Sequence, residues 1–232
     1  MSSKDKSSSS IVWSAIGKKL ITGITGVGLV LFIIVHLLGN LTLFAGSKTF
    51  NEYSHFLTSH GEFIYPAEII LLLFFLFHII MGISVYLKKK KARPQGYQKY
   101  QSAGGQSKQT ISSKTMIITG LILFIFLIIH LIQFKYGPEY MTTINGQQVR
   151  NLHANVVQVF ANPWWVLFYV VVMVLLGYHL RHGFWSMLQS LGAMKPSLTP
   201  VIYTIGVIFA IVVAIGFIIL PIWIFLSGGG AL

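Results

Sequence analysis

The sequence predicts an all-α fold, a bundle of five helices that cross a membrane. Three observations carry this. Five separate stretches run to about twenty or more almost uncharged, apolar residues, the length that about 30 Å of hydrocarbon demands. Charged residues make up 9% of the chain against 54% hydrophobic ones, where a soluble domain carries about 25% charged. The 17 lysines and arginines gather between alternate stretches, the pattern that cytoplasmic loops leave. The net charge of +12 therefore reflects topology and does not point to nucleic acid.

Residues 1–14 form a polar tail, Ser-rich over its first ten residues and lacking an apolar core and a small-residue cleavage site, so it does not read as a signal peptide. A single transmembrane domain follows over 15–227, with spans predicted at 20–44, 63–87, 115–134, 163–188 and 201–226. The first, third and fifth carry no charge. Glu68 stands near the start of the second and Arg181 near the end of the fourth, both close enough to an interface to snorkel or pair. Alternating the spans puts Lys4, Lys6, Lys18, Lys19, Lys88, Lys89, Lys90, Lys91, Arg93, Lys99, Lys108, Lys114, Arg181 and Lys195 on one side. Lys48, Lys135 and Arg150 fall on the other, with Glu52, Glu62, Glu68 and Glu139. The N-terminus is then cytoplasmic and the C-terminus outside.

The connections differ in kind. Phe50, Tyr53, Phe56 and Leu57 give 50–59 a helical spacing suited to the interface, and 155–160 is similar. The long connection 88–114 holds Pro94, Gly96, Gly104 and Gly105. It predicts an irregular, basic cytoplasmic loop facing anionic lipid or a partner subunit.

Four spans each contain one histidine at depth: His36, His78, His130 and His179. An ionisable residue inside a membrane is costly and marks function. A rise of about 1.5 Å per residue puts His36 and His130 roughly 24 and 22 Å from the inner edge. The same rise leaves His78 and His179, on spans that run inward, about 12 and 6 Å from it. The four thus divide into an outer pair and an inner pair. Facing helices of a bundle can supply both ligands of a central cofactor, and two bis-histidine b-type haems, one above the other, fit this layout. His182 stands one turn from His179 and competes with it for the inner iron. His182 and Arg181 are also candidates for the haem propionates, which need cations or donors. The rival roles are a proton relay, a polar interhelical bond or a substrate contact.

Gly39, Gly82 and Gly183 follow His36, His78 and His179 by three or four residues, on the same helical face. A missing side chain there admits a flat porphyrin, although small residues also serve plain helix packing. Gly23, Gly26, Gly28 and Gly120 offer the same room. His55, His60 and His153 fall in outer connections and are expected to be exposed or interfacial. The chain has no cysteine, which excludes disulfides, iron–sulfur ligation, thiolate catalysis and covalent haem attachment. No zinc-type HxxxH motif, phosphate loop or nucleophile elbow is present, and no residue is assigned a catalytic role.

At these residues the chain resembles the dihaem cytochrome b membrane anchor of succinate dehydrogenase or fumarate reductase (complex II) in its five-helix, single-anchor form. The matching stretches are Thr22-Gly23-Ile24-Thr25-Gly26 leading to His36-Leu37-Leu38-Gly39-Asn40, Phe50-Asn51-Glu52-Tyr53, and Glu68 leading to His78. They continue with Thr119-Gly120 leading to His130-Leu131, Tyr178-His179-Leu180-Arg181-His182-Gly183, and Gln189-Ser190-Leu191-Gly192. Each is weak alone; their order over about 11–226 makes the match specific.

The resemblance implies helices one to four around two haems b, with the fifth at the side. It implies a distal haem on His36 and His130 and a proximal haem on His78 and His179. The proximal haem would face a cytoplasmic iron–sulfur subunit fed by a flavoprotein that oxidises succinate. Electrons would leave for a quinone, usually menaquinone in dihaem members, in a bacterial cytoplasmic (inner) membrane among its lipids. A higher oligomer of the whole complex stays open. Some fumarate reductases of this type carry a glutamate two residues before the fourth ligand as a proton route; here that position is Gly177, which favours succinate dehydrogenase. For the quinone, Glu68, Asn40 and Gln133 are candidates beside Glu52, Glu62 and His60, since quinone reduction needs donors and a proton source. The alternatives are fumarate reduction, another dihaem quinol-oxidising cytochrome, and a haem-free transporter or anchor.

Overall fold

The computed structural model describes residues 13–92 and 110–228. The tail before them and the interior of the basic connection, including Arg93, Pro94, Gly96, Lys99, Gly104, Gly105 and Lys108, lie outside the described residues.

Among the described residues seven α-helices and one hairpin follow in order. They are α1 (Ala15–Leu41), α2 (Ser47–Ser59), α3 (Gly61–Ala92), α4 (Ile111–His130), β1 (Met141–Ile144), β2 (Gln147–Arg150), α5 (Leu152–Phe160), α6 (Pro163–Ser190) and α7 (Thr199–Leu226). Five of these helices are long and apolar enough to cross a membrane. Leu31, Leu72, Ile125 and Ile211 are all more than half exposed. That apolar exterior suits lipid, where each backbone polar group must be satisfied within its own helix.

Local sequence sets the helix starts. Ser14 caps α1 by accepting the Gly17 N–H at 2.9 Å. Thr110 and Ser113 form a reciprocal capping box on α4, and Asn162 accepts the Trp164 N–H at 2.9 Å ahead of Pro163 in α6. Such caps satisfy amide donors that the first turn leaves orphaned. The expected 88–114 loop is shorter than its sequence suggests. Lys88–Lys91 continue α3 and Lys114 lies inside α4, because lysine is a good helix former when no proline intervenes. The second span likewise begins a little ahead of its predicted start, at Gly61.

The pattern of long helix, short helix, long helix occurs twice, as α1-α2-α3 and α4-α5-α6, and α7 packs along α6 and touches α1. The connections put α2, the hairpin and α5 together at one end of the bundle. The opposite, basic end carries Lys18, Lys88–Lys91 and Lys114. The helical 50–59 and 155–160 connections correspond to α2 and α5. The hairpin was not expected; Asn145 and Gly146 turn it with φ of 52° and 80°, the positive pair that a type I′ turn requires. It aligns Met141 with Arg150 and Ile144 with Gln147.

Two apolar clusters hold the bundle. Leu37, Leu43, Phe50, Val156, Phe160, Tyr169, Leu220 and Ile224 meet at the hairpin end. Val172, Met173, Leu176 and Leu180 of α6 pack on Ala210 and Val213 of α7. Close approach there relies on small residues: a Cβ on Gly177 would stand 3.1 Å from that of Ala214, the usual device of membrane interfaces.

Candidate functional site

The four span histidines lie half-buried along the bundle interior in two facing pairs. The rings of His36 (α1) and His130 (α4) have centroids 5.7 Å apart. Those of His78 (α3) and His179 (α6) are 6.4 Å apart. His182 faces elsewhere, edge-on to Trp185 at 4.8 Å.

Each of three rings has a hydroxyl at its Nδ1. Thr25 of α1 stands 3.3 Å from His78 Nδ1, Thr119 of α4 stands 3.2 Å from His179 Nδ1, and Tyr169 of α6 stands 3.4 Å from His130 Nδ1. The direction of these bonds follows from proton counting. A hydroxyl has one proton to give. Thr25 gives its proton to the Ile21 carbonyl at 2.7 Å, Thr119 to the Thr115 carbonyl at 3.1 Å, and Tyr169 to Gln133 Oε1 at 2.6 Å. With its proton placed there, each hydroxyl is available to accept from Nδ1–H, the arrangement that leaves the Nε2 lone pair of the ring for a metal. Metal-ligating histidines are oriented in this way as a rule. His36 lies against Phe32 at 5.3 Å and Phe217 at 5.9 Å.

The donor set fits haem. Two imidazoles on opposite faces of one iron, each with a nitrogen–metal bond of about 2 Å, put their centroids about 6 Å apart, and the two observed separations bracket that value. Among the described residues no three His, Asp or Glu side chains gather around a point. A metal held by such a pair would take its remaining ligands from outside the chain, as a haem macrocycle supplies them. A Cβ on Gly82 or Gly183 would meet nothing within 4 Å, which leaves room beside the inner pair. Gly26 and Gly120 approach the His78 and His179 rings, where a Cβ would come within 3.8 and 3.3 Å of Cε1. Gly39 departs from its expected part: a Cβ there would lie 2.6 Å from the Tyr53 ring, so its face is given to α2.

The basic end carries two cation–hydroxyl pairs. Lys18, only 5% exposed, donates to Ser84 of α3 and lies 5.2 Å over the Trp13 ring. Arg181 of α6 donates to buried Ser112 of α4 at 3.2 Å. Neither cation has an acidic partner among the described residues. The Nδ1 of His182 is buried without a hydrogen-bond partner.

At the hairpin end Glu68, Asn40 and Gln133 are already engaged. Glu68 forms an ion pair with Lys135, both side chains partly exposed. Asn40 donates to the His36 carbonyl at 2.7 Å. Gln133 accepts from Tyr169 through its side chain and from Asn155 through its carbonyl at 2.8 Å. Of the outer histidines, His153 corrects the expectation of exposure. It is 7% exposed, because its N–H donates to Asn51 Oδ1 at 3.0 Å and its ring meets Phe50 edge-on. Burial holds its imidazole below the ordinary value of 6.5.

Thr25 and Thr119, as partners, and Tyr169 are not among the residues that the sequence singles out. A signal was there: Thr25-Gly26 precedes His36, and Thr119-Gly120 precedes His130, by the same eleven residues. The two halves of the chain thus carry one pattern twice.

No curated protein and no solved structure matches the chain. A family model, described as the succinate dehydrogenase/fumarate reductase transmembrane subunit, matches residues 21–105 and 89–220. Those stretches span both histidine-bearing halves, and on them the chain belongs to the family of transmembrane subunits of succinate dehydrogenase and fumarate reductase.

Proposed function

We propose that this chain carries electrons from a cytoplasmic iron–sulfur subunit, itself fed by a flavoprotein that oxidises succinate, to a membrane quinone, with menaquinone the expected species. The observation that supports this most is the sorting of four span histidines into two facing pairs, with three Nδ1–H groups already engaged. His78 and His179 hold the haem nearer the basic end, and His36 and His130 the haem nearer the hairpin. When bound, the two b-type haems supply one-electron carriers stacked across the bilayer.

The chain's own residues do the rest. Thr25, Thr119 and Tyr169 fix the tautomers of their ligands. Lys18 and Arg181, each steadied by a serine, would meet the carboxylates of the inner macrocycle, and the unpartnered Nδ1 of His182 would offer a third polar contact. The basic end faces the cytoplasm and the partner subunits. Among the quinone candidates the partly exposed Glu68–Lys135 pair keeps both a donor and a proton acceptor within reach of a ligand, whereas Asn40 is turned back onto its own helix. Gly177 packs on Ala214 with no room for a carboxylate, which supports succinate oxidation over a reverse reaction driven through a glutamate at that place.

A reduced-minus-oxidised spectrum of the purified complex tests this, with a two-component b-type α-band expected. His36→Leu or His130→Leu should remove the hairpin-end component first, and His78→Leu or His179→Leu the other. A complex without any b-type band sinks the haem reading. Loss of the inner component in His182→Leu but not in His179→Leu would move the ligand role by one turn.

A further inference from the structure

Three ligand rings have hydroxyl partners, but one partner differs from the others. Thr25 and Thr119 give their protons to carbonyls of their own helices. Tyr169 gives its proton to a side chain, Gln133, in the turn that follows α4, at 2.6 Å. Gln133 sits in a widened turn, Leu131–Lys135, that directly follows His130, and Asn155 of α5 holds its backbone carbonyl. Tyr169 is 5% exposed and wedged among Phe126, Phe134 and Phe160 at 5.1, 6.1 and 5.0 Å. The hydroxyl therefore has little freedom to turn. Widened turns of this kind cluster at functional sites.

On the haem reading above, we propose that Tyr169 is a positioning residue that sets the redox potential of the outer centre. A phenol that donates strongly to an amide oxygen becomes a better acceptor at its own oxygen, since bonds in a chain polarise one another. Its pull on Nδ1–H raises the basicity of His130 toward its metal. A more basic ligand favours the oxidised iron, so the Tyr169–Gln133 pair holds the outer potential down. The pair also ties that potential to the hairpin-end cap, because Asn155 fixes the turn on which Gln133 rides.

The test is a potentiometric optical titration of the whole complex carrying Tyr169→Phe, which keeps the ring and its packing and removes only the hydroxyl. Both haems should remain, and the outer midpoint should rise by about a tenfold shift in its oxidised-to-reduced ratio, which is 59 mV for one electron. The inner midpoint should stay in place. Gln133→Leu should move the outer midpoint in the same direction by less, and it carries the test if the phenylalanine variant does not assemble. An unchanged outer midpoint with both haems bound overturns the proposal while leaving the haem reading intact. A wild-type complex with no b-type band overturns that reading before any variant is made.

Discussion

Thr25 and Thr119 are each almost wholly buried, 4% and 3% exposed, and each spends its one proton on its own helix before meeting a histidine on another. Thr25→Val or Thr119→Val keeps the shape and removes the acceptor. Interhelical bonds of this kind are worth about 0.6 kcal/mol on average in membranes, so the bundle should survive. Losing the hydrogen-bond partner of a ligand weakens metal binding by about 10–100-fold, so both haems should stay bound on isolation, as for Tyr169→Phe, while the inner haem alone should pass faster to an apo-globin acceptor, as read by α-band resolution. Gly82→Val and Gly183→Val make the complementary test. Neither new side chain meets an atom within 4 Å of its Cβ, so circular dichroism should be unchanged while inner-haem occupancy drops. Full occupancy would mean that the macrocycle lies on another face. The histidines were legible in the sequence because an ionisable residue in an apolar span stands out. Their hydroxyl partners were not, because threonine in a helix most often bonds its own backbone, as these also do. Only the packing of α1 on α3 and α4 on α6 shows the second use.

At the scale of elements, α2, the hairpin and α5 form a cap whose polar centre is Asn51. Its side chain donates to Asn151 Oδ1 at 2.8 Å and accepts the His153 N–H, while Asn151 also caps α5 through the Ala154 N–H. Asn51→Ala should cost about 1–3 kcal/mol, the penalty for stranding buried polar groups, visible as a lower thermal midpoint and faster amide exchange in α5. The same cap should respond to pH. The His153 pKa is lowered in the fold, so the unfolded chain binds more protons below the ordinary value. The stabilisation is complete above about pH 6.5 and is lost as pH falls from there toward the folded pKa. Hydrogen exchange across β2 and α5 at pH 7.5 and pH 5.5 would show it, and equal protection at both would refute it. The short helices could be read in advance from the spacing of Phe50, Tyr53, Phe56 and Leu57. The hairpin could also have been, since Asn145-Gly146 is a strong turn signal. The strand signal is faint because the flanking strands are only four residues each and alternate weakly. His153 was misjudged for a related reason: its burial comes from Asn51 and Phe50, about a hundred residues away in sequence.

For the whole molecule, the sequence sufficed for five helices long and apolar enough to cross a membrane, since hydropathy and length decide that. The twofold repetition is written in the two Thr-Gly…His spacings, but only the structure shows what it does. Once the threonines are placed, other positions fall into correspondence. Tyr169 stands ten residues before His179, as Glu68 stands ten before His78. One half thus has a phenol where the other has a carboxylate, and the carboxylate has turned away to Lys135. Each facing pair draws one histidine from each half: His36 with His130, and His78 with His179. A metal bound between them is therefore a rivet joining two hairpins of helix, and the peptide linking α3 to α4 is redundant once both rivets are in. A gene cut between the codons for α3 and α4 should still give a complex when both pieces are co-expressed with haem supply. Under haem limitation the two pieces should part during purification, while the uncut chain stays whole.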